Sequence, residues 1–516
     1  MTNAIVIGAG HNGLTCAAYL ARAGKKVLCL EAAAEPGGMA AMHRFADNFK
    51  LPGLALTSHP LSKKICADLK LHQHGYQPGA AMQTIVLDAD GKHLRVDVNS
   101  ISGSNLSAAD RQAYPEFIDQ YQSFAKALRP FFDRQPPRLK DMDWVDKKTL
   151  IKFGWNVRFG LGRESMYDFM RVAASNIYDV LNDTFDDQQL KSYLAVNAIM
   201  GSSIGPRTPG SVLTWLHRLQ GALNGPLAMH ASDKSNLIAA LQRSALASGA
   251  VIRCNSKVSR ILIKDDRAIG VELEDGETIL SDLVVSSADP RTTFLGLVGA
   301  PKLDAMFANR VSQIRGSGTT AKLNIALNSL PKINAVDEQQ MSSRFIIAPS
   351  MRYIEQAFNH SKYGEYSERP VLEFTFPTLQ NSQLAPSGQH ILSINVAYAP
   401  YDLKGGWPQQ KELFAQQLIS QLAEFIPNLE SLLVDYELLT PVDIEAQYHA
   451  TQGHWHHAEL SIHQSLMMRP VYGAAQYDTP VDNLFLCGAG SHPGGDLSGM
   501  PGHNAAKRVL ETGAGK

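Results

Sequence analysis

The sequence predicts an α/β fold built on a parallel sheet. Three observations carry this. Residues 4–31 read as strand, glycine loop, helix, strand. The chain closes on a second strand–glycine loop–helix unit between Leu484 and Glu511. Between the two units, helical periodicity alternates with short β-branched runs.

The first unit opens with the apolar run Ala4–Ile7, which suits a strand buried on both faces. Gly8 to Gly13 is a glycine loop, and Leu14 to Ala23 carries apolar residues at helical spacing. Gly24 stops that helix, and Val27–Leu30 is the next strand. Helices are expected within 106–135 and 165–200, separated by Pro136-Pro137. From Ala250 the texture changes. Ala250–Cys254, Val258–Lys264, Ala268–Leu273 and Thr278–Val285 read as an antiparallel meander turning at Asp265-Asp266 and Asp275-Gly276. Further strands are expected at Thr319–Ala326, Val371–Phe376 and His390–Ala397, and a helix from Gln409 to Phe425. The last unit is the strand Leu484–Leu486, a glycine loop and a helix from about Gly502.

At 516 residues the chain has room for two to four domains of ~150 residues, or two large interleaved ones. Its 48 basic and 49 acidic residues give a net charge of −1, which argues against a nucleic-acid partner, since phosphate neutralisation needs a basic surface. With 44% hydrophobic and 19% charged residues, it can bury a large core, and a disordered chain is excluded. Cys16, Cys29, Cys66, Cys254 and Cys487 form no C-x-x-C pair, which fits a reducing compartment. No basic segment precedes Ala4–Ile7, so no signal peptide is expected. No uncharged apolar run reaches ~18 residues, so no spanning helix is expected either. The expected location is cytoplasmic, with peripheral membrane association left open.

Gly8-Ala9-Gly10-His11-Asn12-Gly13 fits G-x-G-x-x-G, and Glu31 follows 18 residues after Gly13, at the end of the second strand. That is the context a dinucleotide fingerprint needs. Gly8 permits the turn, Gly10 lets the backbone approach a pyrophosphate, and Gly13 lets the helix pack closely on the strand. The helix N-terminus presents free N–H groups to phosphate, and Glu31 can accept hydrogen bonds from ribose. Gly37-Gly38 follows, and Gly488, Gly490, Gly494 and Gly495 crowd the terminal loop with His492 and Pro493. Two glycine sites at opposite ends of the chain suit one long dinucleotide. The absence of a second fingerprint argues against a separate nicotinamide domain.

These features, with Leu283-Val284-Val285-Ser286-Ser287-Ala288-Asp289-Pro290 after the meander, resemble the phytoene desaturase-related flavoproteins. Further shared elements are Leu384-Ala385-Pro386, Ala399-Pro400-Tyr401, Thr440-Pro441, Arg469-Pro470 and Asn504-Ala505-Ala506. Within that family the chain is most similar to the pyridine nucleotide-disulphide oxidoreductase domain-containing protein 2 group, although no redox cysteine pair is present. The resemblance implies non-covalent FAD and a Rossmann-type FAD-binding domain assembled from discontinuous segments, with an inserted α+β substrate domain. The expected boundaries are 1–75, 226–300 and 453–516 for the FAD-binding segments, and 76–225 and 301–452 for the substrate domain. It implies backbone contact between Val258 and the adenine, and places the His492–Gly495 stretch along the flavin. Asp496 stands where relatives commonly carry another glycine, and Leu227-Ala228-Met229 where a glycine pair often stands.

Gly453-His454-Trp455-His456-His457-Ala458-Glu459 is the densest histidine cluster. Neighbours in an extended chain point to opposite faces and no zinc motif is present, so no metal is expected. The resemblance puts His457 and Glu459 on the substrate side of the flavin, as catalytic candidates. Read as an extended segment, the two would face the same side. Arg44 is a candidate for substrate contact, weighed against a solvated arginine. Cys487 reads as a small buried residue rather than a flavin attachment point.

The expected function is FAD-dependent hydrogen removal, its reverse, or isomerisation on a small apolar, polyene or lipid-like substrate, with an acceptor such as oxygen or quinone. Two alternatives stay open at this point. One is an amine or amino-acid oxidase on the same fold; the other is a flavoprotein acting mainly by binding a partner or a membrane.

Overall fold

The computed structural model describes residues 3–98, 100–138, 140–232 and 236–514. The predicted parallel sheet has five strands in the order Val251–Arg253, Val27–Leu30, Ala4–Ile7, Val284–Ser286, Leu484–Leu486, with every neighbouring pair parallel. Its strands are drawn from stretches far apart in sequence, so the domain is assembled from discontinuous segments. The first strand is buried at all of its positions, as a sheet covered on both faces requires.

Helix His11–Arg22 covers one face and packs against the helices Leu237–Ala247 and Met500–Thr512. Small residues make this contact close. A Cβ at Gly502 would lie 2.1 Å from the Asn12 carbonyl oxygen, and one at Gly13 would lie 2.0 Å from the Gly8 carbonyl oxygen. Ala17, Ala18, Leu20, Leu241, Ala505 and Val509 fill the rest of this core.

The meander holds Val258–Lys264, Arg267–Leu273 and Thr278–Leu280. Two expectations change here. Val251–Arg253 is the edge strand of the parallel sheet, pairing with Val27–Leu30, because alternation alone does not distinguish parallel from antiparallel partners. The run Thr278–Val285 breaks in two, its second half forming Val284–Ser286 in the parallel sheet.

An eight-stranded sheet forms the second layer, in the order Leu433–Leu439, Thr320–Leu327, His390–Ala397, Leu372–Thr375, Arg344–Ile347, Thr84–Val86, Leu94–Val96, Ile101–Ser102. All of its pairs are antiparallel except Arg344–Ile347 with Thr84–Val86. One face packs Leu323, Phe345, Leu372, Phe374 and Ile394 against helix Trp407–Ala423. The other faces the helical layer between Ala108 and Ala222, where Val86 and Ile346 meet Phe117, Phe124, Leu194 and Trp215. Strand alternation puts Lys322, Asn324, Arg344, Glu373, Ser393 and Asn395 on this second face too. All six are buried, so part of a buried sheet face is polar.

Candidate functional site

A cavity of about 580 Å³ extends from the carboxyl ends of the parallel strands, at Ile7 and Leu30, to Glu373 and Asn395 of the eight-stranded sheet. The carboxyl edge of an open α/β sheet is where ligands gather.

Glu31 lines the far end with Ser256, Lys257 and Val258. Its Oε2 accepts the Ala9 N–H at 2.7 Å and its Oε1 accepts the Ala33 N–H at 2.9 Å. The carboxylate is thereby held against the fingerprint loop. Gly8, Gly10, Gly37 and Gly38 form the next stretch of wall. A Cβ at Gly10 would meet nothing within 4 Å, so the space above it is open. Gly10 precedes helix His11–Arg22 with no side-chain cap, leaving the first N–H groups of the helix free for an anion. Gly13 does not line the cavity; its role is the close helix–strand packing described above.

Among the described residues, five buried polar atoms of the cavity lining have no hydrogen-bond partner: His11 Nε2, Asn12 Oδ1, Tyr448 OH, Trp455 Nε1 and His457 Nδ1. Buried polar groups are ordinarily satisfied, so orphans gathered along one cavity fit a polar cofactor. None of the five cysteines lines it, and Cys487 is fully buried.

The terminal loop behaves differently from its glycine content. Ala489, Asp496 and Leu497 line the cavity, whereas Gly488, Gly490, His492, Pro493, Gly494 and Gly495 do not. Cβ atoms at Gly488, Gly490 and Gly494 would lie 2.3 Å from the Ser287 carbonyl oxygen, 2.4 Å from Pro290 Cδ and 2.3 Å from Arg469 Nε. These glycines let protein elements approach each other. The His492 ring is buried between the Phe131 and Leu466 carbonyls, at 2.7 and 3.2 Å. Arg44 is exposed, on the short strand Met42–Phe45 outside the cavity.

The segment around His457 is a turn rather than an extended strand. His457 has φ 61° and its N–H donates to the His454 carbonyl at 2.9 Å. Adjacent His456 and His457 therefore both reach the cavity, and His457 and Glu459 diverge. Glu459 Oε2 accepts the Ser203 N–H at 2.8 Å and Oε1 accepts the Leu460 N–H at 3.0 Å. Its second neighbour is His454 Nε2 at 3.7 Å, and these partners keep the carboxyl below its usual range despite burial.

Six imidazoles line the cavity with Asp496, and five of them, His11, His59, His217, His456 and His457, are affected by burial. Burial pushes all five below the usual histidine value, His11 and His217 to about 4. They are therefore neutral at pH 7. No group of three or more His, Cys, Asp or Glu residues among the described residues is placed to hold a metal ion.

Sequence reading missed the wall that the eight-stranded sheet provides. Arg344 Nη2 donates to Glu373 Oε2 at 2.5 Å and Nη1 donates to Asn197 Oδ1 at 2.9 Å. Lys322 Nζ donates to Asn395 Oδ1 at 2.9 Å, and burial pulls this lysine down to about 8. Asn197, Glu373 and Asn395 line the cavity, with Arg218 from helix Ser211–Ala222. The available signal was the alternation of charged and amide residues inside otherwise apolar strands.

A glycine-loop cradle with a buried carboxylate faces a polar-floored second sheet across one cavity, an arrangement that suits a bound cofactor. The chain belongs to the flavin containing amine oxidoreductase family, whose model matches residues 13–510. It is 31% identical to mouse pyridine nucleotide-disulfide oxidoreductase domain-containing protein 2, over 98% of this chain and 93% of that protein. It is 26% identical to a subunit of limonene dehydrogenase from Castellaniella defragrans, over 98% and 94% of the two chains. Lycopene-forming phytoene desaturase of a Paracoccus species matches at 24% identity over 97% and 95%. The fold is shared with a Methanosarcina mazei oxidoreductase, at TM-score 0.61 and 15% identity, over 99% of this chain and 100% of that one. No helix among the described residues is long and apolar enough to cross a membrane.

Proposed function

We propose that this oxidoreductase binds FAD non-covalently and acts on an apolar, polyene or lipid-like substrate. The reaction class is hydrogen removal across a C–C bond, its reverse, or isomerisation. The observation that carries the reading is the continuity of the cavity, from the Glu31 carboxylate past the open space at Gly10 to the substrate sheet. Glu31, Gly8, Gly10, Gly37, Gly38 and the N-terminus of helix His11–Arg22 would hold the dinucleotide. The flavin supplies the two-electron chemistry, and the protein supplies orientation and electrostatics.

Leu54, Ala198, Met200, Leu227, Trp455 and Leu460 contribute apolar surface to the wall, and the imidazoles of His11, His59, His217, His456 and His457 are uncharged. That environment suits a hydrocarbon-like chain. Two relatives carry the names of limonene and phytoene, both hydrocarbons. His457, neutral and with a free Nδ1 in the cavity wall, would accept or relay a proton. Oxygen or a quinone would reoxidise the enzyme.

An amine substrate is the second reading, favoured by the family description. The unpaired Arg218 guanidinium in the wall opposes a cationic amine. Apolar substrate would enter from a membrane surface met by the segment 142–171. Trp144, Trp155 and Phe159 are 72%, 63% and 59% exposed there, beside exposed Lys147, Lys148, Lys152, Arg158 and Arg163. Aromatic and basic residues together suit an anionic lipid interface.

Anaerobic reduction of the purified flavoprotein by a panel of polyenes, lipids and amines tests the reading. Bleaching of the flavin by an unsaturated or saturated hydrocarbon-like compound is expected. Bleaching by amines alone would overturn it.

A further inference from the structure

Six charged side chains line the cavity: Glu31, Lys257, Arg218, Glu373, Glu445 and Asp496. Five of them have partners. Glu31 accepts two backbone N–H groups. Lys257 pairs with Glu274 at 2.6 Å. Glu373 pairs with Arg344 at 2.5 Å. Glu445 accepts the Gln452 N–H at 2.7 Å and the Tyr401 hydroxyl. Asp496 accepts the Leu497 N–H at 2.8 Å. Arg218 alone makes no hydrogen bond or ion pair with any described residue. It sits on helix Ser211–Ala222, half-buried, with its free surface in the cavity.

The surroundings sharpen this. Behind Arg218 lie Arg344 and Lys322, both buried in the sheet, with Glu373 as the carboxylate between them. Asp496 lines the same cavity and acts on Arg218 through space, too far to pair. The cluster thus has three cations to two carboxylates, and the excess charge is the one on the cavity-facing guanidinium. An enclosed arginine stays protonated, and leaving it unpaired is costly. Burial and the Arg344 charge both pull its pKa below the usual arginine value. The missing anion would come from the ligand.

We infer that Arg218 anchors a single carboxylate on an otherwise apolar substrate. A guanidinium accepts a carboxylate through two parallel hydrogen bonds. One monoanion balances the one surplus cation, whereas a phosphate ester would bring further negative charge next to Glu373 and Asp496. The inference rests on the apolar-substrate reading above and narrows its class to a carboxylic acid with a hydrocarbon chain.

The test is titration of the oxidised holoprotein with decanoate, 1-decanol and decyl phosphate, followed by the flavin difference spectrum. Decanoate should bind at least about 10-fold more tightly than decanol. Arg218→Gln should erase that advantage and leave the decanol Kd within about 2-fold, and Arg218→Lys should keep part of it. Equal Kd values for decanoate and decanol in the wild type would overturn the inference, and this comparison needs no variant to fold. Tighter binding of decyl phosphate than of decanoate would overturn the monoanion assignment. An Arg218→Gln protein with unchanged decanoate binding and a shifted flavin potential would assign the guanidinium to the cofactor instead. The two readings fail separately. Flavin reduction by neutral polyenes with no preference for carboxylates sinks only the anchor. Carboxylate binding without reduction by any apolar compound sinks only the function.

Discussion

Arg469 Nη2 donates a 2.8 Å hydrogen bond to the Ala489 carbonyl, across from the loop that carries His456 and His457. The same guanidinium donates to the carbonyls of His456 and Glu459 at 2.8 and 2.9 Å. It is fully buried, and burial pulls its pKa down to about 10, so it remains a cation at neutral pH. One side chain therefore joins the histidine turn to the terminal glycine loop. Arg469→Met would leave these carbonyls unpaired, each at about 1–3 kcal/mol. Thermal denaturation should show a large drop in Tm, accompanied by lower flavin content.

Gly494 tests the same junction from the other side. It has φ 85°, and an added Cβ would lie 2.3 Å from Arg469 Nε. Gly494→Ala should cost about 1–3 kcal/mol from overpacking, with a further penalty for the left-handed backbone. Denaturant titration measures this; an unchanged midpoint would show that the loop can shift without loss.

His457 and Glu459 should separate in their effects. Glu459→Gln replaces a buried carboxylate held by two backbone N–H groups and His454. It should lower stability by about 1–3 kcal/mol while leaving the flavin reduction rate of the folded fraction near that of the wild type. His457→Ala removes a cavity-facing imidazole and should slow reduction by about 10²-fold or more with little change in Tm. Stopped-flow reduction alongside thermal melts distinguishes the two. Equal slowing by both variants would restore Glu459 to the reacting site.

Acid sensitivity follows from His492. Burial holds its pKa at about 4, against about 6.5 in the unfolded chain. Between these values the unfolded state binds more protons, so stability falls as pH drops from about 6.5 to about 4 and levels off below. His11 and His217 act in the same direction. Melting temperature measured across this range should decline steeply, and His492→Gln should flatten the decline. A pH-independent Tm would show that these rings are protonated in the folded protein.

Membrane contact is checked by flotation with phosphatidylglycerol vesicles. The protein should float at low salt, and paired Trp155→Ser and Phe159→Ser changes should return it to the soluble fraction. Their ring centroids lie 4.4 Å apart, tilted at 41°, on the exposed segment, so the pair acts as one apolar contact. Flotation unaffected by the changes would place the contact elsewhere.

The glycine-loop end of the cavity was legible in the sequence because its parts are local. Gly8, Gly10 and Glu31 lie within one strand–loop–helix–strand unit, and the chemistry of each follows from its position there. The polar wall from the eight-stranded sheet was not legible, because it is made by pairing. Lys322, Arg344, Glu373 and Asn395 come from four strands that meet only in the folded sheet. The runs carrying Lys322, Glu373 and Asn395 were visible, the one carrying Arg344 was not, and which face would be covered could not be read from any of them. The terminal loop misled in another way. Glycine density suggested backbone lying against a ligand, whereas Gly488, Gly490 and Gly494 are small so that Ser287, Pro290 and Arg469 can approach. His457 escaped the alternation rule because its left-handed backbone turns the chain between it and Glu459.

The most direct test of the account is the flavin itself. Purified protein should be yellow, and heat or acid denaturation should release about one FAD per chain into the soluble fraction. Gly10→Val, which fills the open space above the fingerprint loop, should yield folded protein without flavin. A colourless wild-type protein that takes up no FAD, or flavin that stays with the denatured chain, would contradict the account.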